Sequence, residues 1–232
     1  MNKRNALYPL WHALALLAGF FRRPGRFAVS HYPREKALQL LKAAQNGVVL
    51  DVGCGRRKLS EHVIAIDLFP KVNVDIAADA TQLPFRDASC DGLWLEALLE
   101  HVEDPQRVLD EAVRVLKHGG WLYAEIPFLQ GEHAAPGDYQ RWTRSGLTRL
   151  FDDWEIEWLE MSSGPFSALA YQLRCCLSIL TSFGSDFLYR LLFEALWGYV
   201  VWPLQWLDFI FKNHPRAAGH AFGYAVMVRK KF

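Results

Sequence analysis

Apolar positions follow two rhythms through the first half of the chain. Short runs bounded by Gly, Asp or Asn read as buried strands: VVL (48–50), VIAI (63–66), DGLWL (91–95) and WLYAEI (121–126). Longer stretches repeat at helical spacing. From Pro33 to Ala44, residues Ala37, Leu38, Leu40 and Leu41 form a stripe among Arg34, Glu35, Lys36 and Lys42, and Asn46-Gly47 supplies the stop. From Pro105 to Leu116 the stripe is Val108, Leu109, Ala112, Val113, Val115 and Leu116. Strands that are apolar throughout, alternating with helices, predict an α/β domain whose parallel sheet is covered on both faces.

Beyond Pro127 the rhythm changes. Thr143 to Phe151 reads as a helix with Thr143 as a cap, and Trp154 to Met161 alternates as a strand. Residues 166–211 are mostly apolar without a strand signal, and a strand returns at Ala221 to Arg229. The pattern predicts one domain. A helical region (1–46) leads into a core (47–164), followed by a hydrophobic helical insertion (165–215) and a last strand (216–232).

Composition narrows the function classes. In 232 residues, 51% hydrophobic and 22% charged side chains exclude a disordered chain. A net charge of +1 offers no global field for a nucleic-acid backbone, so no such partner is expected. Cys54, Cys90, Cys175 and Cys176 have no C-x-x-C spacing; neither a zinc site nor a disulfide framework is expected, and a cytoplasmic setting suits them. No metal cluster is expected either. Lys3 and Arg4 precede an apolar run, 6–21, interrupted by Pro9 and His12 and lacking an A-x-A cleavage pattern. It predicts a helix lying on a surface. The 166–211 stretch places Trp197, Trp202 and Trp206 among Arg190, Glu194 and Asp208, too charged for a clean span. Together these two stretches predict peripheral contact with the inner face of a membrane, or else helices packed on the protein itself.

The chemistry concentrates at strand ends. In VVLDVGCGRRKLS (48–60) a strand closes on Asp51 and turns through Gly53-Cys54-Gly55, where missing β-carbons let backbone approach a ligand. A dinucleotide fingerprint requires a third glycine at position 58, which is Lys58, so nicotinamide binding is disfavoured. VIAIDLF (63–69) ends on Asp67, a carboxylate able to accept from two ribose hydroxyls. DIAADATQLPF (75–85) places Asp79 in a loop where it can meet an adenine amino group.

With CDGLWLEALLEHVEDP (90–105) and RVLKHGGWLYAEIPF (114–128), these segments in this order resemble the class I S-adenosylmethionine-dependent methyltransferases, type 11 group, over about residues 46–130. The resemblance implies a Rossmann-like seven-stranded sheet with helices on both faces and an antiparallel last strand, which Ala221 to Arg229 would supply. It implies S-adenosylmethionine as cofactor. Asp51, Gly53, Cys54 and Gly55 then surround its methionine moiety, Asp67 and Leu68 its ribose, and Asp79 and Ala80 its adenine. Leu95 and Glu96 close over it, and Glu100-His101 matches a recurrent Leu-Glu-His-Val segment. The family's third small residue after Gly55 is replaced here by Arg56-Arg57-Lys58.

GEHAAPGDYQRWT (131–143) is similar to a segment His-x-x-Pro-His-Asp-Tyr-x-Arg-Phe-Thr of methyltransferases from cell-surface glycan or lipid pathways, with Gly137 in place of the second histidine. His133 or Asp138 could take the proton of an attacking hydroxyl, with His101 a third catalytic candidate; Asp138 and Arg141 could instead pair to shape the loop. The implied function is methyl transfer to an oxygen of an apolar or lipid-linked small molecule. Two alternatives stand: a soluble small acceptor with the insertion as a lid, and a non-catalytic membrane-associated scaffold of the same fold.

Overall fold

Val49–Val52 (β1) is buried at every position and sits inside the sheet, because both its faces are covered by helices. In the computed structural model, residues 31–44, 46–133 and 136–231 are described, and the surface helix expected at 6–21 lies outside them. Six more strands complete the sheet: Val63–Asp67 (β2), Ile76–Ala77 (β3), Cys90–Glu96 (β4), Leu116–Pro127 (β5), Trp154–Ser163 (β6) and Gly223–Lys230 (β7). Their order is β3-β2-β1-β4-β5-β7-β6. The first five run parallel, with Leu50 opposite both Ile64 and Leu93. β7 is antiparallel to β5 and β6, with Met227 between Tyr123 and Trp158. The Rossmann-like sheet with its reversed last strand is therefore as expected.

Two strands differ from their sequence signals. β3 has only two residues, pairing with Ile66 and Asp67, and two residues carry no period to read. β5 starts five residues early, at Leu116, because its own extra residues bulge between the pairing of Leu116 with Cys90 and that of Trp121 with Gly92. Gly92 is required there: a Cβ would lie 2.3 Å from the Trp121 ring.

Helices cover the two faces. The Pro105–Val115 helix (α2) packs Leu109, Ala112 and Val115, each fully buried, on Leu93, Leu122 and Val226. On the other face, His31–Ala43 (α1) lays Ala37 and Leu41 against a layer holding Trp94, Tyr123 and Met227. The cysteines are free thiols.

The insertion begins with Pro165–Thr181 (α3) and winds through short helical pieces to Leu207–Phe211 (α4). Asp208 ties its two ends together. Fully buried, its carboxylate accepts from the backbone N–H of Phe166 and Ser167, both at 2.9 Å, and from the Ser167 hydroxyl at 2.6 Å. These are the first amides of α3, which lack partners within their helix, and the N-cap residue Gly164 has no side chain to offer them. Gly164 must be small, since a Cβ would lie 2.2 Å from Asp208 Oδ1. Among the described residues no helix is long and apolar enough to cross a membrane. The insertion does expose apolar side chains, with Ile179 64%, Phe183 91% and Ile210 70% accessible.

Candidate active site

The glycine turn is held by the strand beside it. Gly53 and Cys54 both donate their N–H to the Ile66 carbonyl at the end of β2, at 2.8 and 3.0 Å. Gly55 donates to Asp67 Oδ2 at 2.9 Å. Gly53 and Gly55 have φ of +79° and +64°, a region costly to residues with a β-carbon, and nothing lies within 4 Å of where a Gly55 Cβ would point. At Gly55 the backbone faces open space at the carboxyl end of the sheet, where ligands bind in this architecture, whereas a Cβ at Gly53 would lie 2.9 Å from the Leu98 side chain.

That space is a cavity of about 310 Å³ lined by Asp51, Gly53, Cys54, Gly55, Arg34, Arg57 and Glu96, among others. Its charges are mixed. Arg34 reaches in from α1 to Glu96 at 2.6 Å, with Glu125 4.0 Å away, and Arg57 lies 3.9 Å from Glu96. Asp51 is buried, and burial followed by the charge of Glu96 raises its midpoint to about 7, against the opposing pull of Arg34 and Arg57. Burial, then Asp51 and Asp67, push the Cys54 thiol up to about 11, so it stays neutral and is no nucleophile.

The Asp51 shift has a measurable consequence. A carboxyl whose midpoint rises on folding favours the native state while it keeps its proton. Its contribution is complete below its ordinary 3.8 and is lost as pH climbs to about 7. Asp51→Asn removes this loss. Between about pH 4.5 and pH 7.5, thermal melts should show wild type losing more stability than the variant. Parallel pH profiles would show that Asp51 does not titrate this way.

Of the other residues expected at the cofactor, Asp67 bonds the glycine turn, while Leu68, Asp79 and Ala80 lie outside the lining of this cavity. Asp67 is buried. Burial opposes its ionisation, but the Phe69 N–H, Lys71 and the Gly55 N–H outweigh it and hold its carboxyl below the usual range. Leu68 is exposed beside it. Asp79 Oδ1 accepts from the N–H and hydroxyl of Thr81, both at 2.8 Å, above buried Ala80. Leu95 is 1% exposed and packs in the core, while its neighbour Glu96, turned the other way by the alternation along β4, lines the cavity. Of the basic run, Lys58 pairs with Asp75 at 3.0 Å, and Arg56, Arg57 and Lys58 all line the cavity beside the turn.

A second cavity, of about 410 Å³, opens on the far side of Glu96 and Ala97, which line both. Ala97 has φ +53°, a strained value for a residue with a side chain, at the junction of the two spaces. The insertion forms much of the wall, through Tyr171, Arg174, Tyr199 and Trp202; Ser162, Ser163 and Phe222 come from the end of the sheet. Glu100 also lines it. This residue is fully buried, and neither carboxylate oxygen has a hydrogen-bond partner. Burial raises its midpoint to about 7.

Behind Glu100 stand two of the catalytic candidates. His101 Nδ1 lies 2.5 Å from the Gly137 carbonyl, which can only accept, so Nδ1 carries the proton and Nε2 faces Glu100 Oε1 at 3.8 Å. The His133 ring meets the His101 ring edge-on, centroids 5.0 Å apart. Donor atoms of Glu100, His101 and His133 all fall within 4.8 Å of one another, near enough to share a proton or a cation. Asp138 is engaged elsewhere. Both its oxygens bind Arg141 and one accepts the His133 N–H, and Arg141 followed by that N–H holds its carboxyl far below the usual range against its burial. A carboxylate so held is a poor proton acceptor; it shapes the loop, as the pairing alternative expected. Thr143 caps the next helix by accepting from Gly146 N at 3.1 Å. Arg34 and the isolation of Glu100 were beyond sequence reading: one lies 62 residues from its partner, and the other depends on what covers it.

Comparison with known proteins agrees with this geometry. A family profile described as "Methyltransferase domain" matches residues 50–124. The chain is 36% identical over 97 residues to a ubiquinone biosynthesis O-methyltransferase of Xylella fastidiosa, covering 32% of this chain and 39% of that one. It is 34% identical over 106 residues to a ubiquinone/menaquinone biosynthesis C-methyltransferase of Acidiphilium cryptum, covering 45% and 39%. The chain thus spans about two fifths of the length of these relatives. The solved structure of MccD protein shares the fold, with TM-score 0.51 at 13% identity over 86% of this chain and 97% of the other.

Proposed function

We propose that this chain, whose residues 50–124 match a methyltransferase-domain profile, is a class I S-adenosylmethionine-dependent methyltransferase of the type 11 group that methylates an oxygen of an apolar small molecule, phenol-like or lipid-linked. The observation that carries the reading is the pair of cavities meeting at Glu96 and Ala97. One is bounded by the glycine turn; the other is lined by aromatic and hydroxyl side chains. Methyl transfer needs a donor and an acceptor aligned across a short gap with water kept out, which is what two adjoining cavities provide.

The residues present fit the cofactor. Its amino-acid end carries both charges, and the first cavity offers Asp51 and Glu96 to the ammonium and Arg57 to the carboxylate. Gly53 and Gly55 admit it closely, Asp67 would take the ribose, and Asp79 with Ala80 the adenine. When bound, it supplies a methyl group activated on cationic sulfur. The chain's part is to orient the acceptor against that methyl and remove the acceptor's proton.

The acceptor class rests on three supports: the Tyr171, Trp202 and Phe222 lining, the apolar surface of the insertion, and relatives named as methyltransferases of ubiquinone and menaquinone biosynthesis, one an O- and one a C-methyltransferase. The test is methyl transfer from labelled S-adenosylmethionine to a panel of catechols with and without alkyl tails, polar phenols and polyprenyl-linked sugars. Tailed phenols should be preferred. Preference for polar phenols, with no flotation of the protein on liposomes, would make the insertion a lid over a soluble acceptor.

A further inference from the structure

Glu100 and His101 face each other in a way that lacks one proton. His101 Nδ1 gives its hydrogen to the Gly137 carbonyl, so Nε2 presents a lone pair to a carboxylate that has no donor of its own. Two acceptors 3.8 Å apart, one fully buried, form an incomplete arrangement. A single proton completes it, since a protonated Glu100 can donate to Nε2. Of the three cluster residues, Glu100 alone is among those lining the acceptor cavity, its carboxylate buried just behind the surface of that cavity. Side-chain exposure then climbs in order, from 0% at Glu100 to 11% at His101 and 32% at His133.

We propose that Glu100 is the proton-accepting catalytic residue of the acceptor cavity, and that His101 and then His133 carry the proton out to solvent. The proposal rests on the methyltransferase reading above. The acceptor's O–H bond would break toward a Glu100 oxygen as the acceptor oxygen took the methyl of bound S-adenosylmethionine, whose carbon–sulfur bond would break with its electron pair left on sulfur. Glu100 then passes the proton to His101 Nε2 and is again a carboxylate. No reactant besides the acceptor and the methyl donor is needed. The 3.8 Å separation is long for a hydrogen bond, but such contacts tighten when the site fills.

A midpoint near neutrality, caused by burial, suits a group that must both take and release a proton. Its electrostatic surroundings are His101 on the same turn, Arg141 and Asp138 from the following loop, and Glu96, Glu125, Arg174 and Glu194 around the cavity. Asp138 is neutralised by Arg141 and Glu194 is paired with Arg174.

The probe is 4-nitrophenolate, titrated at mildly alkaline pH into the full chain. The chain is first shown to bind S-adenosylhomocysteine and then saturated with it. Calorimetry in buffers of different ionisation heat counts protons, and absorbance shows whether the bound probe stays ionised. Wild type should take up close to one proton per probe bound, with the phenolate colour retained; Glu100→Gln should take up none and bind the probe within about threefold. His101→Gln should keep the proton count but slow uptake about tenfold, read with a pH-indicator dye after rapid mixing, because the outward path is broken. On any phenol that is turned over, Glu100→Gln should lower the rate about 10²-fold.

Several results overturn the proposal. They are no proton uptake or no probe binding by wild type, uptake unchanged in Glu100→Gln, or equal rates in His101→Gln. Stoichiometric Mn²⁺ binding that depends on Glu100 would also overturn it, making the cluster a cation site. Failure to bind S-adenosylhomocysteine is a separate failure, of the methyltransferase reading itself.

Discussion

Asp67→Ala should weaken S-adenosylhomocysteine binding at least about 100-fold, because two hydrogen bonds to a charged carboxylate, each worth about 1.5–3 kcal/mol, are lost together. Titration calorimetry measures it directly. The structure adds a second route to the same loss. Asp67 also accepts from Gly55 N at 2.9 Å, from Phe69 N at 3.0 Å and from Lys71 at 3.0 Å, so its removal loosens the glycine turn as well. Asp67→Asn keeps the shape and one acceptor oxygen, and should recover part of the affinity. Unchanged binding in Asp67→Ala would remove this carboxylate from the cofactor site.

Asp208→Ala should be the most destabilising change in the insertion. It leaves the N–H groups of Phe166 and Ser167 and the Ser167 hydroxyl without their buried acceptor. Stranding donors of a charged, desolvated contact costs about 3 kcal/mol, which for a chain of this size corresponds to about 6–12 °C in Tm. Asp208→Asn should lose less, since its oxygen still accepts. The effect should reach the acceptor cavity, because Tyr171, Arg174 and Trp202 are carried on the segments that Asp208 joins. Calorimetric melts together with limited proteolysis across 165–211 measure both. A wild-type Tm in Asp208→Ala would mean that the start of α3 finds its partners elsewhere.

Legibility followed the distance over which each interaction acts. The strand, turn and acid of VVLDVGCG are contiguous, so burial, reversal and ligand-facing backbone all leave marks within one window. Thr143 is similar: a cap and the amide it receives are three residues apart. Leu95 and Glu96 are adjacent in the motif, but only the pleat of β4 shows that the first packs in the core and the second lines the cavity. The 131–143 segment named His133, Asp138 and Arg141 together, but not their division of labour. Only the fold shows Asp138 bound at both oxygens by Arg141 while Glu100 stands bare.

Local order alone therefore determined the α/β class, the cofactor-side turn and the greasy insertion, because hydrophobic period, glycine stereochemistry and capping act between near neighbours. Packing decided the rest. That Arg34 closes on Glu96, that Asp208 holds an insertion by its first amides, and that Glu100 lacks a partner all depend on groups distant in the chain. Burial is what gives such groups their chemistry, since it sets the cost of a charge or of a missing hydrogen bond, and burial exists only once the sheet, helices and insertion have closed over them.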